Sequence, residues 1–416
     1  MKNTAMGFHT FSMFKRLSEG ESFSLDGKFL SYMQNSGRIK RYPIKTEKML
    51  LSGIEYVYKN DVGIRWLLLS LKTKNDFTIY GVKAIITPQV LLNKNYIDIA
   101  QDNDMEKIKD LFNVEASKIS DTLKDIETYS MSRADYCINF YLDELKTPCT
   151  PAQMMALIKR GNIPAHFVER TEYDRISHRQ KSHKNSFYLT SGSVVVNCYD
   201  KHVHLLGETK HPCKNKTDAK TLIRFEVQCG YSKLYAFSKF SRQEVEGQKT
   251  DADMTLEEAY HDLTTYQCIA IPINAVLSAR ASSETIQKYF KKVVQLGDYY
   301  SLEMAKRIIQ SSDFHQKKKD RLIDALVLTS DCRGIYKVKN GIRDKDLEIY
   351  NRALRDLNCL GINPVTIPRD WGIKFIPNLL NAYYDRRADE HMKEQALQNL
   401  REMVAENRLF RKKRGK

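Results

Sequence analysis

The chain has 416 residues, which is long enough for two or three domains. Its content of 42% hydrophobic and 10% aromatic residues excludes an intrinsically disordered protein. The 67 lysines and arginines exceed the 51 aspartates and glutamates, and the resulting net charge of +16 favours a polyanionic partner, most simply nucleic acid.

The eight cysteines form no Cys-x-x-Cys pair, so neither a zinc ribbon nor a dithiol redox motif is predicted. The N-terminus leads into no apolar stretch typical of a secretion signal. No run is long and apolar enough to span a bilayer. We therefore expect a protein of a reducing cytoplasm that has no membrane partner.

The N-terminal part is predicted to be rich in β-structure. Residues 1–45 are polar, basic and weakly patterned. The segments Met49–Tyr58 and Ile64–Leu71 flank a turn with Asn, Asp and Gly, and therefore predict a hairpin. Phe77–Ile86 is a third strand candidate, and apolar residues at helical spacing predict a helix over residues 104–128.

Three segments in the middle of the chain have the composition of buried strands but carry charged side chains. They are Arg133–Asn139, Ser193–Lys201 and Ile223–Gln228. Because side chains alternate along a strand, each segment has one apolar and one polar face. Buried charges are retained when they are paired, metal-bound or functional, so the sheet is predicted to carry a polar platform on one side.

Three carboxylates on these segments are candidate metal ligands: Asp135, Asp200 and Glu226. Carboxylate oxygens suit Mg²⁺ or Mn²⁺, and either ion would polarise a scissile phosphate and orient it for in-line attack. The structural alternative is ion pairing with basic residues of the same segments, namely Arg133, Arg224 and Lys201.

A stretch with two tyrosines follows the third strand directly. Tyr231, Tyr235 and Lys239 are spaced by four residues and would share one face of a helix. A tyrosine has an ordinary pKa of about 10, so its attack at neutral pH needs a nearby cation, either a metal or Lys239. Two tyrosines one turn apart could serve nicking and termination in turn. Alternatively, both pack against the sheet.

His202-Val203-His204 matches the His-hydrophobic-His pattern of the HUH nickases. On a strand, His202 and His204 would share a face and could chelate one metal ion. A surface pair of histidines is the alternative, since the pattern is short and follows the predicted strand end.

Basic loops at residues 175–184 and 210–220 could clamp phosphates on either side of the site, or be solvated loops. From about residue 252 the chain is predicted to be helical, beginning with a capping box at Thr255–Glu258. The helices within 317–360 could form a helix-turn-helix-like reader of duplex DNA, or an ordinary helical subdomain. In the first case, Asn340-Gly341 is expected to form a hairpin-type turn of a wing.

Four segments, taken in order, resemble the replication initiators of phages and plasmids of the filamentous-phage gene II/X type. The matching residues are Arg133–Asn139, Val196–Lys201, Arg224–Cys229 and Leu360–Pro368. With the β-rich N-terminal part, the likeness covers most of the chain. Ala134 departs from the family, which more often has a larger aliphatic residue there, and this difference concerns packing rather than chemistry.

The resemblance implies rolling-circle replication. Such an initiator nicks one strand at an origin through a tyrosine, stays joined to the 5′ phosphate and leaves a 3′ hydroxyl as primer. The implied fold is α+β and HUH-endonuclease-like, with an antiparallel sheet that has helices on one face and DNA on the other.

We therefore predict a metal-dependent DNA nicking-closing enzyme that acts on origin duplex and single strand. The nucleophile is Tyr235 or Tyr231, and Arg224 and Lys239 would neutralise phosphate charge, with the metal on the carboxylates named above. A conjugative relaxase would share this chemistry. A non-catalytic DNA-binding replication or copy-control protein would use the same basic residues, with the acids as structural pairs.

The domains predicted are a β-rich part over 1–125, a nickase core over 126–250, a helical domain over 251–381 and a charged helical tail over 382–416. The sequence has no GxxxxGK[ST] phosphate-binding loop, so unwinding is expected to need a host helicase.

Overall fold

The computed structural model describes residues 6–45, 51–72, 78–174, 179–181, 183, 185–207, 216–246, 270–389 and 392. The chain divides into two compact units that alternate along the sequence. The first comprises Met1–Asn139 and Ile163–Tyr289, and the second comprises Phe140–Asn162 and Phe290–Lys416. The predicted boundary between residues 250 and 251 lies outside the described residues.

An antiparallel sheet of ten strands dominates the first unit. Its strands, in chain order, are β1 (Met6–Leu17), β2 (Ile39–Lys45), β3 (Leu51–Tyr58), β4 (Ile64–Lys72), β5 (Thr78–Ile86), β6 (Ser130–Tyr141), β7 (Val168–Glu169), β10 (Ser186–Thr190), β11 (Val194–Asp200) and β12 (Leu222–Gly230). Their order across the sheet is β2-β3-β4-β5-β1-β6-β12-β11-β10-β7. Two small ladders pair β8 (Glu172–Asp174) with β9 (Arg179–Lys181) and β13 (Tyr299–Tyr300) with β14 (Phe375–Ile376).

The helices complete an α+β fold, as predicted, and the C-terminal part is mainly helical. In chain order they are α1 (Glu19–Ser36), α2 (Pro88–Leu91), α3 (Met105–Ser117), α4 (Pro151–Ile158), α5 (Lys201–Gly207), α6 (Tyr231–Glu246), α7 (Ile273–Val276), α8 (Ala279–Val293), α9 (Leu302–Ser311), α10 (Gln316–Asp331), α11 (Ile335–Gly341), α12 (Asp344–Cys359) and α13 (379–389). Within the part of the chain that is described, no helix is long and apolar enough to cross a membrane.

The predicted hairpin and third strand are confirmed as β3, β4 and β5, but the weakly patterned start of the chain is central to the sheet. Strand β1 lies between β5 and β6 and pairs Phe11 with both Ile86 and Ala134. Its register on β6 shifts twice, between Phe8 and Thr10 and between Ser12 and Met13. These irregularities interrupt the period of two that normally identifies a strand, which explains why its pattern is weak.

Aromatic side chains fill the core of the first unit beneath β3 and β4. Phe29 of α1 stacks on Tyr56 with ring centroids 4.2 Å apart. Trp66 contacts Phe112 of α3 at 5.4 Å, and Phe112 meets Tyr129 edge-on at 5.7 Å. Rings in these geometries add to the stabilisation from apolar burial, so α1 and α3 are anchored on the sheet.

The second unit begins with a well-capped helix, and it corrects one predicted turn. Thr150 is the N-cap of α4 and forms a capping box with Gln153. Asn340 and Gly341 are the last residues of helix α11 and do not form the turn of a wing. The capping box predicted at Thr255 lies outside the described residues.

Candidate active site

The polar platform predicted from the sequence exists, and the order of the strands brings its residues together. Strands β6, β12 and β11 are neighbours in the sheet. In the ladder between β11 and β12, Asn197 pairs with Glu226 and Tyr199 pairs with Arg224. Paired residues of an antiparallel ladder project on the same face, so these four side chains share one side of the sheet.

Asp135 of β6 is held by the neighbouring arginine on the same strand. The Arg133 Nε donates a hydrogen bond of 2.7 Å to Oδ1 of Asp135, and Nη2 contacts Oδ2. Asp135 is only 1% exposed, and its burial raises the pKa of the carboxyl to about 7 against the lowering effect of Arg133, with nearby Glu226 raising it further. A second positive charge, such as a metal ion, would favour the ionised form.

Glu226 of β12 is the second buried acid, with 5% of its surface exposed. The hydroxyl of Tyr199 donates to its Oε2 at 3.1 Å, and Gln228 Nε2 lies 3.4 Å from its Oε1. Burial, and then the charge of Glu226, hold the pKa of Tyr199 well above its usual value. Tyr199 therefore stays protonated and orients the carboxylate as a hydrogen-bond donor.

Arg224 is fully enclosed, with 0% of its surface exposed. Its Nε donates to Asn139 Oδ1 at 2.8 Å, and its Nη2 donates to the main-chain oxygen of Ile97. The Asn139 amide also donates to that oxygen, at 2.9 Å. The sequence predicted that Arg224 would contact a phosphate. In the structure it is buried, and its hydrogen bonds connect β12 to β6 and to the segment around Ile97.

Two basic residues of this site were missed by the sequence analysis as functional candidates. Lys201 is fully buried, and its Nζ lies 4.5 Å from the ring centroid of Tyr96 and 5.6 Å from the ring centroid of Tyr199. His9 sits at the first register shift of β1, and burial, followed by the charges of Arg224 and Lys201, lowers its pKa well below the usual value. The shift that aims His9 at the platform also weakened the sequence signal of its strand.

Asp200 is placed apart from the acid pair. In the ladder it pairs with Ile223, so by alternation it belongs to the face opposite Glu226. Its Oδ1 accepts the backbone N–H groups of His202 at 3.0 Å and Val203 at 3.1 Å. Asp200 therefore caps the N-terminus of α5 and does not join Asp135 and Glu226.

His202 and His204 lie on helix α5, not on a strand as the shared-face prediction required. Residues two apart on a helix point in different directions, so these two imidazoles are not arranged to chelate one ion. His204 instead contacts Tyr199, with ring centroids 5.1 Å apart. The helix starts here because Asp200 supplies its cap, which the short pattern of His-hydrophobic-His does not reveal.

The side chains that could hold a metal ion differ from the three predicted acids. Among the residues that the structure describes, no three side chains of His, Cys, Asp or Glu are grouped closely enough to hold a metal. The buried Oδ1 of Asn197 has no hydrogen-bond partner in this described part, and Asn197 pairs with Glu226 in the ladder. The side-chain oxygens of Asp135, Glu226 and Asn197 are ligands of the kind that Mg²⁺ and Mn²⁺ prefer.

The two candidate nucleophiles lie at the start of α6, which begins directly after β12. The rings of Tyr231 and Tyr235 are nearly parallel, at 11°, with centroids 6.2 Å apart. Both are partly exposed, while Leu234 of the same helix is fully buried. The predicted helix and its shared tyrosine face are therefore present. The side chain of Lys239 and most of the two basic loops lie outside the described residues.

Comparisons with known proteins give little. No family model matches the sequence, and no curated protein matches it. Among solved structures, a rolling circle replication initiator protein from Geobacillus stearothermophilus is similar over 70% of this chain and 98% of its own, with 10% identity and a TM-score of 0.28. The di-domain ARO/CYC protein StfQ from the steffimycin biosynthetic pathway is similar over 67% and 98%, with 8% identity and a TM-score of 0.13. Likenesses this weak carry no argument about this chain.

Proposed function

We propose that the protein is a site-specific, metal-dependent DNA nicking-closing enzyme that initiates rolling-circle replication at a phage or plasmid origin. The observation that carries the proposal is the buried acid pair of Asp135 and Glu226 on one sheet face. A net charge of +16 and a helix with two tyrosines directly after the strand of Glu226 support it. Acids that serve only the fold are seldom buried this deeply on two neighbouring strands.

In this proposal Asp135, Glu226 and Asn197 would hold Mg²⁺ or Mn²⁺. A bound metal would neutralise charge on the scissile phosphate and orient it. The protein groups around it fix the ligands: Arg133 fixes Asp135, and Tyr199 fixes Glu226. Such supporting contacts commonly matter almost as much as the ligands themselves.

The nucleophile is Tyr235 or Tyr231. Its phenolic oxygen forms a bond to phosphorus while the bond from phosphorus to the 3′ oxygen breaks. The tyrosine loses its proton, and the departing 3′ oxygen gains one. The phosphotyrosine ester conserves the energy of the phosphodiester, so the reverse attack by a 3′ hydroxyl can close the strand. Two tyrosines on one helix face suit two successive transfers, and a host helicase would separate the strands.

One observation favours a second candidate, a non-catalytic DNA-binding replication or copy-control protein. Asp135 already has an ion-pair partner in Arg133, which is the structural alternative considered above. In that case Asp135 and Glu226 would only balance the buried Arg224 and Lys201. A conjugative relaxase would share the proposed chemistry and differ in the origin that it recognises.

The deciding experiment uses supercoiled plasmid that carries the chain's own gene and flanking sequence. The protein is incubated with Mg²⁺, with Mn²⁺ and with EDTA, and any DNA-linked peptide is mapped. We expect open circles in either metal, none in EDTA, and a tyrosine adduct that Tyr231→Phe or Tyr235→Phe removes. Binding without a nick or adduct, in either metal and on a verified origin, would instead favour the non-catalytic protein.

A further inference from the structure

Two arginines of the helical second unit are held beside each other by the backbone. Arg160 follows α4, and Arg333 follows α10. The N–H of Ile335 donates to the main-chain oxygen of Arg160 at 2.9 Å. Gly334 lies between Arg333 and Ile335 in the chain, and a Cβ atom on it would lie only 3.0 Å from the main-chain oxygen of Arg160. The glycine therefore permits a close approach that brings Arg333 to Arg160.

The positive charges of the two arginines repel each other. Burial, followed by the positive charge of Arg333, lowers the pKa of Arg160, while Asp370 raises it. Among the described residues neither guanidinium has an ion-pair partner or a side-chain hydrogen bond. A pair of like charges without closer compensation is unfavourable in the free protein and is relieved when an anion binds.

Arg333 also occupies a strained backbone conformation. Its φ of 58° lies in the left-handed region, at the end of a helix where glycine or asparagine is usual. The turn is closed by hydrogen bonds from Arg333 N to Ser330 O at 3.1 Å and from Gly334 N to Thr329 O at 3.0 Å. Arginine is unfavourable for the conformation of this turn. Its presence there suggests that its charged side chain has a function.

More cations surround the pair. Lys159 precedes Arg160, and Lys337 is exposed on the first turn of α11. The side chain of Asn162 donates to the main-chain oxygen of Lys292 at 2.9 Å, which ties this segment to the end of α8, where Lys291 and Lys292 are exposed. We call this group the Arg160 patch; its members are Lys159, Arg160, Lys291, Lys292, Arg333 and Lys337.

We propose that the Arg160 patch binds the phosphate backbone of duplex DNA without reading its sequence. The choice of DNA rests on the proposed function; the location of the site rests on the second unit alone. Guanidinium groups match phosphate oxygens in pairs, and contacts to phosphates fix the position of a protein on the duplex rather than its sequence preference.

The test measures binding of a fluorescent 20-base-pair duplex of unrelated sequence, with Glu226→Gln as the parent protein so that the DNA stays intact. Arg333→Gly and Arg160→Gln are compared with Arg387→Gln, which removes an exposed charge of the same unit outside the patch. We expect each patch variant to bind about tenfold more weakly at low salt, and the slope of log affinity against log salt to fall by about 0.9 in magnitude. The control should bind like the parent.

Thermal unfolding separates this effect from misfolding. Arg333→Gly should melt at or above the temperature of the parent, because glycine relieves the strained φ, yet it should still lose affinity. Equal affinity of the parent and both patch variants would overturn the proposal, as would a parent that binds no duplex. The proposal is also wrong if the patch variants lose binding to vesicles with anionic lipid but keep the parent's affinity for the duplex. If the wild type never nicks DNA but its duplex binding depends on the patch, the patch proposal holds and the proposed nicking activity is wrong.

Discussion

At the scale of single residues, buried charge determines the character of the site. Arg224, Asp135 and Glu226 are almost completely shielded from water, and an isolated charge there would cost several kcal/mol. Each has a polar partner: Asn139 for Arg224, Arg133 for Asp135 and the Tyr199 hydroxyl for Glu226. Substitutions should therefore keep the shape and the hydrogen bonds while they change the charge.

Glu226→Gln is the most direct residue-scale test of the acid pair. Glutamine keeps an oxygen for the hydroxyl of Tyr199 but removes the negative charge, so duplex binding should persist. We expect the nicking rate to fall by roughly 100-fold or more. The rate is measured by conversion of supercoiled plasmid in Mg²⁺, with the exposed Glu303→Gln as the charge-matched control. Full nicking by Glu226→Gln would remove this residue from the site.

His9 predicts a pH dependence of stability. Burial, and then Arg224 and Lys201, depress its pKa in the folded protein, whereas the unfolded chain has the ordinary value of about 6.5. Between the two values the unfolded state binds more protons, so the unfolding free energy should fall as pH drops below about 6.5. In His9→Gln this part of the slope should vanish, as measured by urea unfolding between pH 5 and 8. The exposed His315→Gln should retain it; parallel curves for His9→Gln and wild type would contradict the assignment.

At the scale of elements, irregularities of the backbone decide what the side chains can do. The register shifts of β1 place His9 at the platform, and the end of β11 turns into α5 at Asp200. Sequence alternation correctly separated the faces of β12, since this strand is regular from Leu222 to Gly230. It did not identify β1, whose period is broken, or the helix that carries His202.

Substitutions at Asp200 distinguish a helix cap from a metal ligand. Asp200→Asn keeps an oxygen for the two backbone N–H groups, so stability and nicking should both stay near wild type. Asp200→Ala removes the cap and should lower the unfolding free energy by about 1 kcal/mol. Urea unfolding and plasmid nicking of both variants measure these effects. Strong loss of nicking by a well-folded Asp200→Asn would return this residue to the metal site.

At the scale of the whole molecule, the excess of positive charge would attract a polyanion such as DNA. The net charge of +16 is a sum over the chain, and part of it lies in the Arg160 patch of the second unit. Each phosphate contact releases condensed cations from DNA, so affinity depends on salt in proportion to the number of contacts. Binding of unrelated duplex should therefore be strong at low salt and weak at high salt.

The corresponding measurement is a salt titration of duplex binding by the whole chain. If about six basic groups contact phosphates, affinity should fall by about 10³ between 50 and 200 mM salt. Fluorescence anisotropy with the Glu226→Gln protein in EDTA provides the data, because no strand is cut under these conditions. An affinity that changes little over this range would mean that the charge excess is not used for DNA.

Local sequence patterns predicted the α+β class, the strands β3 to β6, β11 and β12, the tyrosine helix and the two acids of the pair. These features follow from local periodicity, which depends only on neighbouring residues. The three-dimensional arrangement was needed to show that Arg224 is enclosed and links β12 to β6, that Asp200 caps a helix, and that Asn197 and His9 belong to the platform. Their roles depend on which strands become neighbours and where the register shifts, and contacts between residues far apart in the chain set both.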